Sequence, residues 1–212
     1  MKKFFFVFVL IAAAIILFLF TYEYKSKQEQ FFYTYTLSDK EISLIQDGDI
    51  ILRHGYGFVS DVIVKRLNEE YDISHCAIIT KKDNKFIVIH SVSRSLSDYD
   101  GVQSQDFKSF VKESKKNSII IVRYKDKNAD VSKIGERAKY YLAKQVPFDN
   151  SFDITDDKEI YCNELIWKIF KEEYNHDIYE SVYEKSKHEH LKFATFLDTS
   201  KFEVIINHHK SL

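Results

Sequence analysis

The chain is poor in the residues that mark turns, linkers and disulfide frameworks. Its 212 residues include one proline, five glycines and two cysteines. So few glycines and prolines exclude a collagen-like, low-complexity or linker-rich protein, and two cysteines cannot build a disulfide framework. Basic residues (31) and acidic residues (32) nearly cancel, and no basic stripe is visible. We therefore expect no nucleic-acid partner.

Recognisable cofactor and metal motifs are also missing from the sequence. Neither G-x-x-x-x-G-K-[ST] nor G-x-G-x-x-G occurs, so nucleotide binding has no support. Histidines and cysteines could in principle supply zinc ligands, but no two have the close C-x-x-C or H-x-x-x-H spacing of a zinc site. We expect neither a cofactor nor a metal. The histidines and cysteines that could supply zinc ligands are His54, His75, Cys76, His90 and Cys162.

A long apolar run is present at the N-terminus. Residues 4–20 carry no charged side chain, and this length is near the lower limit of the ~17–25 residues that cross a bilayer. A cleaved signal peptide is the alternative reading, but bulky residues stand at 19–24, where a cleavage site needs small ones. Lys2 and Lys3 favour a cytoplasmic N-terminus, and therefore an extracytoplasmic domain.

Three segments follow from this pattern. We predict a single transmembrane anchor over residues 1–22, a polar stalk over 23–37 and one folded domain over 38–212. Within the domain, apolar strands in hairpin order, with helices before and after them, predict an α+β fold with a mainly antiparallel sheet. The predicted strands are 50–53, 74–80, 86–92, 119–122 and 202–206; the predicted helices include 58–67, 105–113 and one from about 162 to 174.

Cys162 lies near the start of an amphipathic helix. Apolar residues follow at +3, +4 and +7, so the thiol points toward the protein rather than to open water. A cysteine in the first turn has its pKa lowered by free N–H groups and the helix dipole. Asp156 and Glu159 form a possible capping box that would place Cys162 in the second turn instead. A buried structural cysteine is the alternative to a nucleophile.

His75 and His90 lie at the ends of two neighbouring predicted strands. The polar connection over 81–85 makes these strands a hairpin, which leaves both histidines near the same end of the ladder. His75 can take a proton from a thiol and return it to a leaving group, while a second polar residue fixes its tautomer. Ordinary core histidines remain the alternative, and Cys76 fits a small buried strand residue.

Four short motifs, in this order, resemble the YiiX/YebB-like branch of the NlpC/P60 superfamily. These are circularly permuted papain-like cysteine amidases, in which the histidine precedes the cysteine, the reverse of the papain order. The resemblance covers roughly residues 45–170. The motifs are Gly48-Asp49-Ile50-Ile51, Ser74-His75-Cys76-Ala77-Ile78, Val146-Pro147-Phe148-Asp149-x-x-Phe152 and Tyr161-Cys162-Asn163-Glu164-Leu165.

The resemblance implies a role for several residues. Cys162 matches the family's nucleophile and His75 its base. His90 falls where a polar residue orients the base, although this branch is expected to have glutamate there. Asn163 stands where the family usually has serine. Tyr161 and Glu164, together with Ser74 and Phe148, are the residues expected at the pocket.

The resemblance also implies an activity without a cofactor. Family members hydrolyse amide bonds of cell-wall peptides, so we expect a membrane-anchored cysteine hydrolase acting on peptidoglycan peptides. The same permuted scaffold also supports lipid acyltransferases and thioesterases, and fold alone does not choose between the substrates. A catalytically inactive binding module is the third alternative. The expected partner is thus a peptide or acyl substrate of the envelope, with the membrane engaged through residues 4–20.

Overall fold

The computed structural model describes residues 2–126, 129–179 and 191–209. Met1 of the predicted anchor and residues 127–128, 180–190 and 210–212 of the predicted domain lie outside these ranges. The helices are α1 (Lys2–Phe32), α2 (Asp39–Ile42), α3 (Phe58–Leu67), α4 (Phe107–Lys112), α5 (Ser132–Lys144) and α6 (Cys162–Tyr174), with a 3₁₀ helix at Ala194–Leu197. The strands are β1 (Ile50–Arg53), β2 (His75–Lys82), β3 (Lys85–Val92), β4 (Gly101–Asp106), β5 (Ile120–Tyr124) and β6 (Phe202–Asn207).

The strands form a six-stranded sheet in the order β4-β3-β2-β1-β5-β6. Every neighbouring pair is antiparallel, which confirms the predicted α+β architecture. The connection between β2 and β3 is a tight turn in which Asp83 and Asn84 have positive φ angles of 50° and 61°. These angles are typical of the turns that join the strands of a hairpin.

One strand was missed by the sequence pattern. Residues 101–106 form β4 on the edge of the sheet, whereas Gln105 was predicted to begin a helix. The helix α4 begins only at Phe107, capped by the Asp106 carboxylate, which accepts the Ser109 N–H at 2.9 Å. Polar side chains fill most of β4, so it lacks the apolar alternation that identifies a strand.

The two faces of the sheet are covered by different helices. One core packs α5 and α6 against a face that includes Cys76, Ile78 and Ile89. The second packs α4 and the segment before β1 against the face that includes Ala77 and Val88. Successive residues of a strand alternate between the faces, so the two cores follow directly from the apolar pattern of β2 and β3.

The N-terminal helix is longer than the predicted anchor. α1 continues without a break through most of the predicted stalk, to Phe32. Its apolar residues from Phe4 to Phe20 are almost all exposed. By length and composition this helix can cross a membrane, and a signal sequence near the N-terminus has the same properties.

Gly101, at the start of β4, makes a close backbone approach to the loop before α6. The N–H of Val102 donates to the Val146 carbonyl at 2.8 Å. Gly101 has a φ of +80°, and a Cβ there would lie 2.1 Å from the Val146 oxygen and 2.7 Å from the Pro147 Cα. Only glycine satisfies both conditions.

Candidate active site

The helix α6 begins at Cys162, which is its first residue. Tyr161 is extended (φ −91°, ψ 175°), and its N–H donates to Glu164 Oε2 at 3.2 Å. Upstream, the Asp156 carboxylate accepts the Lys158 N–H at 2.9 Å in a turn. The capping box suggested by Asp156 and Glu159 is therefore wrong, because the aspartate side chain closes a local turn of the kind it commonly forms. Cys162 lies in the first turn, where backbone N–H groups have no partner within the helix.

A network of charged groups around Lys168 holds this helix start. Lys168 Nζ donates to the Asp156 carbonyl at 2.7 Å and to Asp157 Oδ1 at 2.5 Å, and lies 3.4 Å from Glu164 Oε1. Glu164 is completely buried. Burial raises its pKa to about 7, against the opposing effects of the Tyr161 N–H and the Lys168 ammonium.

Two thiols meet at the Asn163 side chain. Asn163 Oδ1 accepts from Cys76 Sγ at 3.1 Å and from Cys162 Sγ at 3.5 Å. The Asn163 amide nitrogen donates to the Leu191 and Lys192 carbonyls at 2.9 and 3.3 Å. Because carbonyl oxygens only accept, the amide nitrogen must face them, which turns the oxygen toward the thiols. The Asn163 side chain therefore faces both Cys76 and Cys162.

The two thiols differ in acidity. The pKa of Cys162 is lowered because the Cys76 thiol can donate to its sulfur and because N–H groups of Cys76, Asn163 and Cys162 point to it, although burial opposes the shift. The pKa of Cys76 is raised well above its ordinary value, first by burial and then by the neighbouring Cys162. Cys162 is thus the thiol that ionises first, which is the order a nucleophile requires.

His75 and His90 are hydrogen-bonded to each other across β2 and β3. His75 Nε2 lies 2.7 Å from His90 Nδ1. Both rings pack on Phe110, with ring centroids 6.0 and 5.6 Å from it. Arg53, which is paired with His75 across β1 and β2, places its guanidinium 3.8 Å from the centre of the same phenyl ring.

This environment keeps both imidazoles neutral. Burial, then the neighbouring His90, then the Arg53 guanidinium hold the pKa of His75 well below its ordinary value. Burial and Arg53 lower the pKa of His90 to about 3. A neutral imidazole has a lone pair that can accept a proton, but the lowered pKa makes it a weaker base than an exposed histidine.

The structure does not join the thiol to the imidazole by a hydrogen bond. In residues 2–126, 129–179 and 191–209, the hydrogen bond of Cys162 Sγ is to Asn163, and the ring bond of His75 is to His90. His75 and Cys76 are adjacent strand residues, so their side chains leave β2 on opposite faces. Cys162 contacts the Cys76 side, while His75 is the half-buried residue that begins the strand.

The residues expected at the pocket have several structural contacts. Ser74 is buried and its Oγ accepts the Gly55 N–H at 3.0 Å. The Phe148 ring packs edge-on against Phe152 at 6.2 Å, and Phe152 lies 5.4 Å from the buried Tyr161 ring. An aromatic row therefore connects the loop before α6 to the residue that precedes Cys162.

The sequence did not predict the contacts of four neighbours of these residues: Arg53 and Phe110 were not site candidates, and Cys76 and Asn163 were named without a contact to each other. Asn163 and Cys76 meet only because α6 docks on β2, and Arg53 and Phe110 come from β1 and α4. The cross-strand position of Arg53 opposite His75 was the available signal, because antiparallel pairing of β1 with β2 fixes that register.

Comparison with known proteins identifies the family and the fold of the chain. The family model described as "Permuted papain-like amidase enzyme, YaeF/YiiX, C92 family" matches residues 44–197. A solved structure, that of the metalloprotein YiiX from Escherichia coli O157:H7, is similar with a TM-score of 0.56 and 20% sequence identity, and covers 76% of this chain and 97% of that one. At that identity the likeness concerns the fold. No curated protein matches.

The residues at this site do not fit a metal ion. Within the described part of the chain, no three histidine, cysteine, aspartate or glutamate side chains form a group that could hold one. His75 Nε2 and His90 Nδ1 are hydrogen-bonded to each other, and both thiols are hydrogen-bonded to Asn163 Oδ1. Zinc sites in proteins have at least three converging protein ligands, and this set of residues does not supply them.

Proposed function

Since the chain belongs to the family of permuted papain-like amidases of YaeF and YiiX, we propose that it is a cysteine hydrolase that cleaves an amide bond in a cell-wall peptide. Cys162 is the nucleophile, His75 the base and His90 the residue that orients His75. The observation that carries this proposal is the position of Cys162 as the first residue of α6, with a lowered pKa.

The proposed reaction needs only the chain's own groups and one water molecule. His75 takes the proton of the Cys162 thiol, and the resulting thiolate attacks the carbonyl carbon. The carbonyl oxygen becomes an oxyanion facing N–H groups of the first turn of α6. His75 protonates the leaving amine, and a thioester remains on Cys162. His75 then takes a proton from water, whose oxygen attacks the thioester and releases the carboxylic acid and the thiol.

The hydrogen bond between the histidines supports the role of His90. It engages His75 Nε2 and leaves Nδ1, which makes no hydrogen bond among the described residues. Nδ1 is therefore the nitrogen available to the thiol. Hydrogen bonds of catalytic groups often tighten only once substrate is bound, so the proposal requires the thiol and the Nδ1 atom to approach in the complex.

We further propose that α1 is an uncleaved anchor, with residues 4–20 in the bilayer and the domain outside the cytoplasm. The length of the run and Lys2 and Lys3 before it support this orientation. The mass of the protein isolated from membranes tests whether the segment is retained. Digestion by external protease in intact cells tests the orientation, and a fully protected domain would contradict it.

Variants of the two central residues test the activity. We expect Cys162→Ala and His75→Ala in the purified full-length protein to abolish cleavage of peptidoglycan peptides. His176→Ala, which removes a histidine bonded to Tyr124 at 2.7 Å, is the matched control and should keep activity. If both variants cleave as fast as the unchanged protein, the assignment is wrong.

A lipid acyl substrate is the second candidate, because α1 packs against the catalytic domain and brings the domain close to an apolar run. Incubation with cell-wall peptides and, separately, with phospholipids, followed by the mass of Cys162-containing peptides, distinguishes a peptidyl from an acyl enzyme. An inactive binding module would show neither adduct, and its Cys162 would resist iodoacetamide at neutral pH.

A further inference from the structure

The N-terminal helix is packed against the start of α3 through aromatic rings. The Phe58 ring lies 6.5 Å from Phe18 and 5.6 Å from Tyr22, edge-on in both cases. Phe18 belongs to the apolar run that ends at Phe20. One residue of the catalytic domain is therefore in contact with the run itself.

Polar contacts from α1 complete the start of α3. Gly57 precedes α3 and has no side chain to cap it. Glu23 Oε1 accepts the Phe58 N–H at 2.8 Å, and Ser26 Oγ accepts the Gly57 N–H at 2.7 Å. First-turn N–H groups need such acceptors, so α1 supplies the cap that α3 lacks.

An acidic residue of α3 links this contact to the rest of the domain. Asp61 accepts hydrogen bonds from Tyr22 Oη and Lys115 Nζ, and lies 2.7 Å from His54 Nε2. These partners come from α1, from the segment after α4 and from the residue after β1. The position of α3 along α1 is thus fixed by rings, caps and a shared carboxylate.

The contact sets the depth of α3 relative to the apolar run. At about 1.5 Å of rise per residue, Phe18 lies about 3 Å before the last residue of the run, which is the level where aromatic residues meet lipid headgroups. On α3, Val59 and Val62 are 39% and 45% exposed. Lys65 and Arg66 follow in the last turn and are also exposed.

We propose that the exposed face of α3 formed by Val59, Val62, Lys65 and Arg66 rests on the surface of the membrane that α1 enters. The valines reach the upper acyl region, and the basic side chains extend to lipid phosphates, the arrangement of an interfacial helix. This inference rests on the proposed role of α1 as an anchor. Continuity with the α1–α3 contact identifies lipid as the occupant.

The consequence for function is a short distance from lipid to the candidate site. Arg53, which pairs with His75, is followed by only four residues before Phe58. An extended residue spans at most ~3.6 Å, so the C-terminal end of β1 lies close to the lipid surface. A site held at that height receives substrates from the membrane or from the layer next to it.

A tryptophan reporter tests the proposed face in the full-length protein. Val59→Trp is reconstituted in vesicles whose phospholipids carry bromine near the headgroup end of the acyl chain, and fluorescence is compared with unbrominated vesicles. Val204→Trp on β6, where the valine is also 39% exposed, is the matched control. Both are prepared with Trp167→Phe, and circular dichroism verifies that each is folded.

We expect bromine to quench the tryptophan fluorescence of Val59→Trp at least about twofold more than that of Val204→Trp, because the Val59 side chain lies at the acyl boundary in the proposed arrangement. Equal quenching of the two, with protein that still floats with the vesicles, would overturn the proposed face and leave the anchor intact. Protein that does not float would instead refute the anchor. Neither result depends on Cys162, so cleavage assays judge the proposed activity separately.

Charge reversal tests the basic part of the face. In vesicles that contain phosphatidylserine, we expect the double variant Lys65→Glu and Arg66→Glu to reduce the quenching of Val59→Trp toward the control value, because each basic residue near an anionic surface contributes to its attraction. Quenching unchanged by the reversal would contradict the contribution of the basic residues.

Discussion

His75 Nε2 lies 2.7 Å from His90 Nδ1, and one of these two nitrogens must carry the proton between them. If His75 donates, its Nδ1 has a lone pair and can act as a base. His90 then carries its own proton on Nε2, which is buried with no partner in the described structure. The opposite arrangement would put a proton on His75 Nδ1 and prevent it from accepting one. The proposed mechanism therefore requires His90 to be an acceptor.

This requirement predicts different effects of two substitutions at position 90. Asparagine offers an acceptor near the position of Nδ1, whereas leucine offers none. We expect His90→Leu to lower kcat by about 10²-fold or more, which is within the range of general acid–base contributions. His90→Asn should retain more of the kcat of the unchanged protein than His90→Leu does. Steady-state kinetics across pH provides the measurement. Equal losses of kcat in the two variants, with unchanged pH profiles, would indicate a packing role only.

The buried histidines predict a loss of stability in mild acid. Folded His90 has a pKa of about 3, against an ordinary value of 6.5. Below pH 6.5 the unfolded chain binds a proton that folded His90 does not, so stability is fully present above pH 6.5 and falls as pH decreases toward 3. Each such histidine contributes about 1.4 kcal/mol per pH unit in this window.

Urea unfolding between pH 4 and 7 measures that slope. We expect the free energy of unfolding of His90→Asn to depend less steeply on pH than that of the unchanged protein, by about the contribution of one histidine. Parallel curves for the two proteins would show that His90 is protonated in the folded state as readily as in the unfolded state.

Cys76 should govern the acidity of Cys162. Cys76→Ala removes the neighbouring S–H donor, and we expect the iodoacetamide rate profile of Cys162 to move to higher pH, with about tenfold slower alkylation near neutrality for a shift of one unit. Cys76→Ser keeps a donor at the same place and serves as the control, so its profile should lie closer to that of the unchanged protein. Identical profiles for the alanine and unchanged proteins would exclude this role.

Glu164 should limit stability at higher pH. Its pKa is about 7 in the folded protein and ordinarily 4.5, so between these values the folded chain holds a proton that the unfolded chain releases. Stability therefore falls as pH rises through the window. We expect Glu164→Gln to be more stable than the unchanged protein above pH 7, by about 1–3 kcal/mol, and similar near pH 4.5.

An exposed glutamate provides the comparison for this effect. Glu136 has a side chain that is 71% exposed and paired with Lys139 at 2.8 Å. Glu136→Gln should change the free energy of unfolding by no more than about 0.5 kcal/mol. A Glu164→Gln protein that is destabilised above pH 7 would mean that the Lys168 contact outweighs the cost of burying the carboxylate.

The sequence pattern predicted those features of the fold and site that depend on residues close together in the chain. Strand alternation and the polar turn over 81–85 were enough to place His75 near His90, because hairpin pairing depends on neighbouring residues. The start of α6 was ambiguous, since Asp156 has the composition of a cap but its carboxylate closes a turn with Lys158. Two acceptable local patterns competed there, and only the packed structure distinguishes them.

Contacts between distant elements were outside the reach of these patterns. Asn163 meets Cys76 across 87 positions of chain, and Glu23 caps α3 from 35 positions away. Such pairs depend on how helices dock on the sheet and on each other, which hydrophobic periodicity does not specify. β4 was missed for a related reason, because its pairing with β3 rather than its own composition makes it a strand.

Gly101 has a consequence for how this protein can change. Its missing side chain lets β4 touch the Val146–Pro147 backbone, 15 residues before α6 begins at Cys162. A single added methyl group would displace that backbone, and the Ile160 N–H bonded to the Pro147 carbonyl at 2.9 Å would move with it. The position of the thiol thus depends on a residue on the far edge of the sheet, and libraries that vary Gly101 should lose activity even where the protein remains folded.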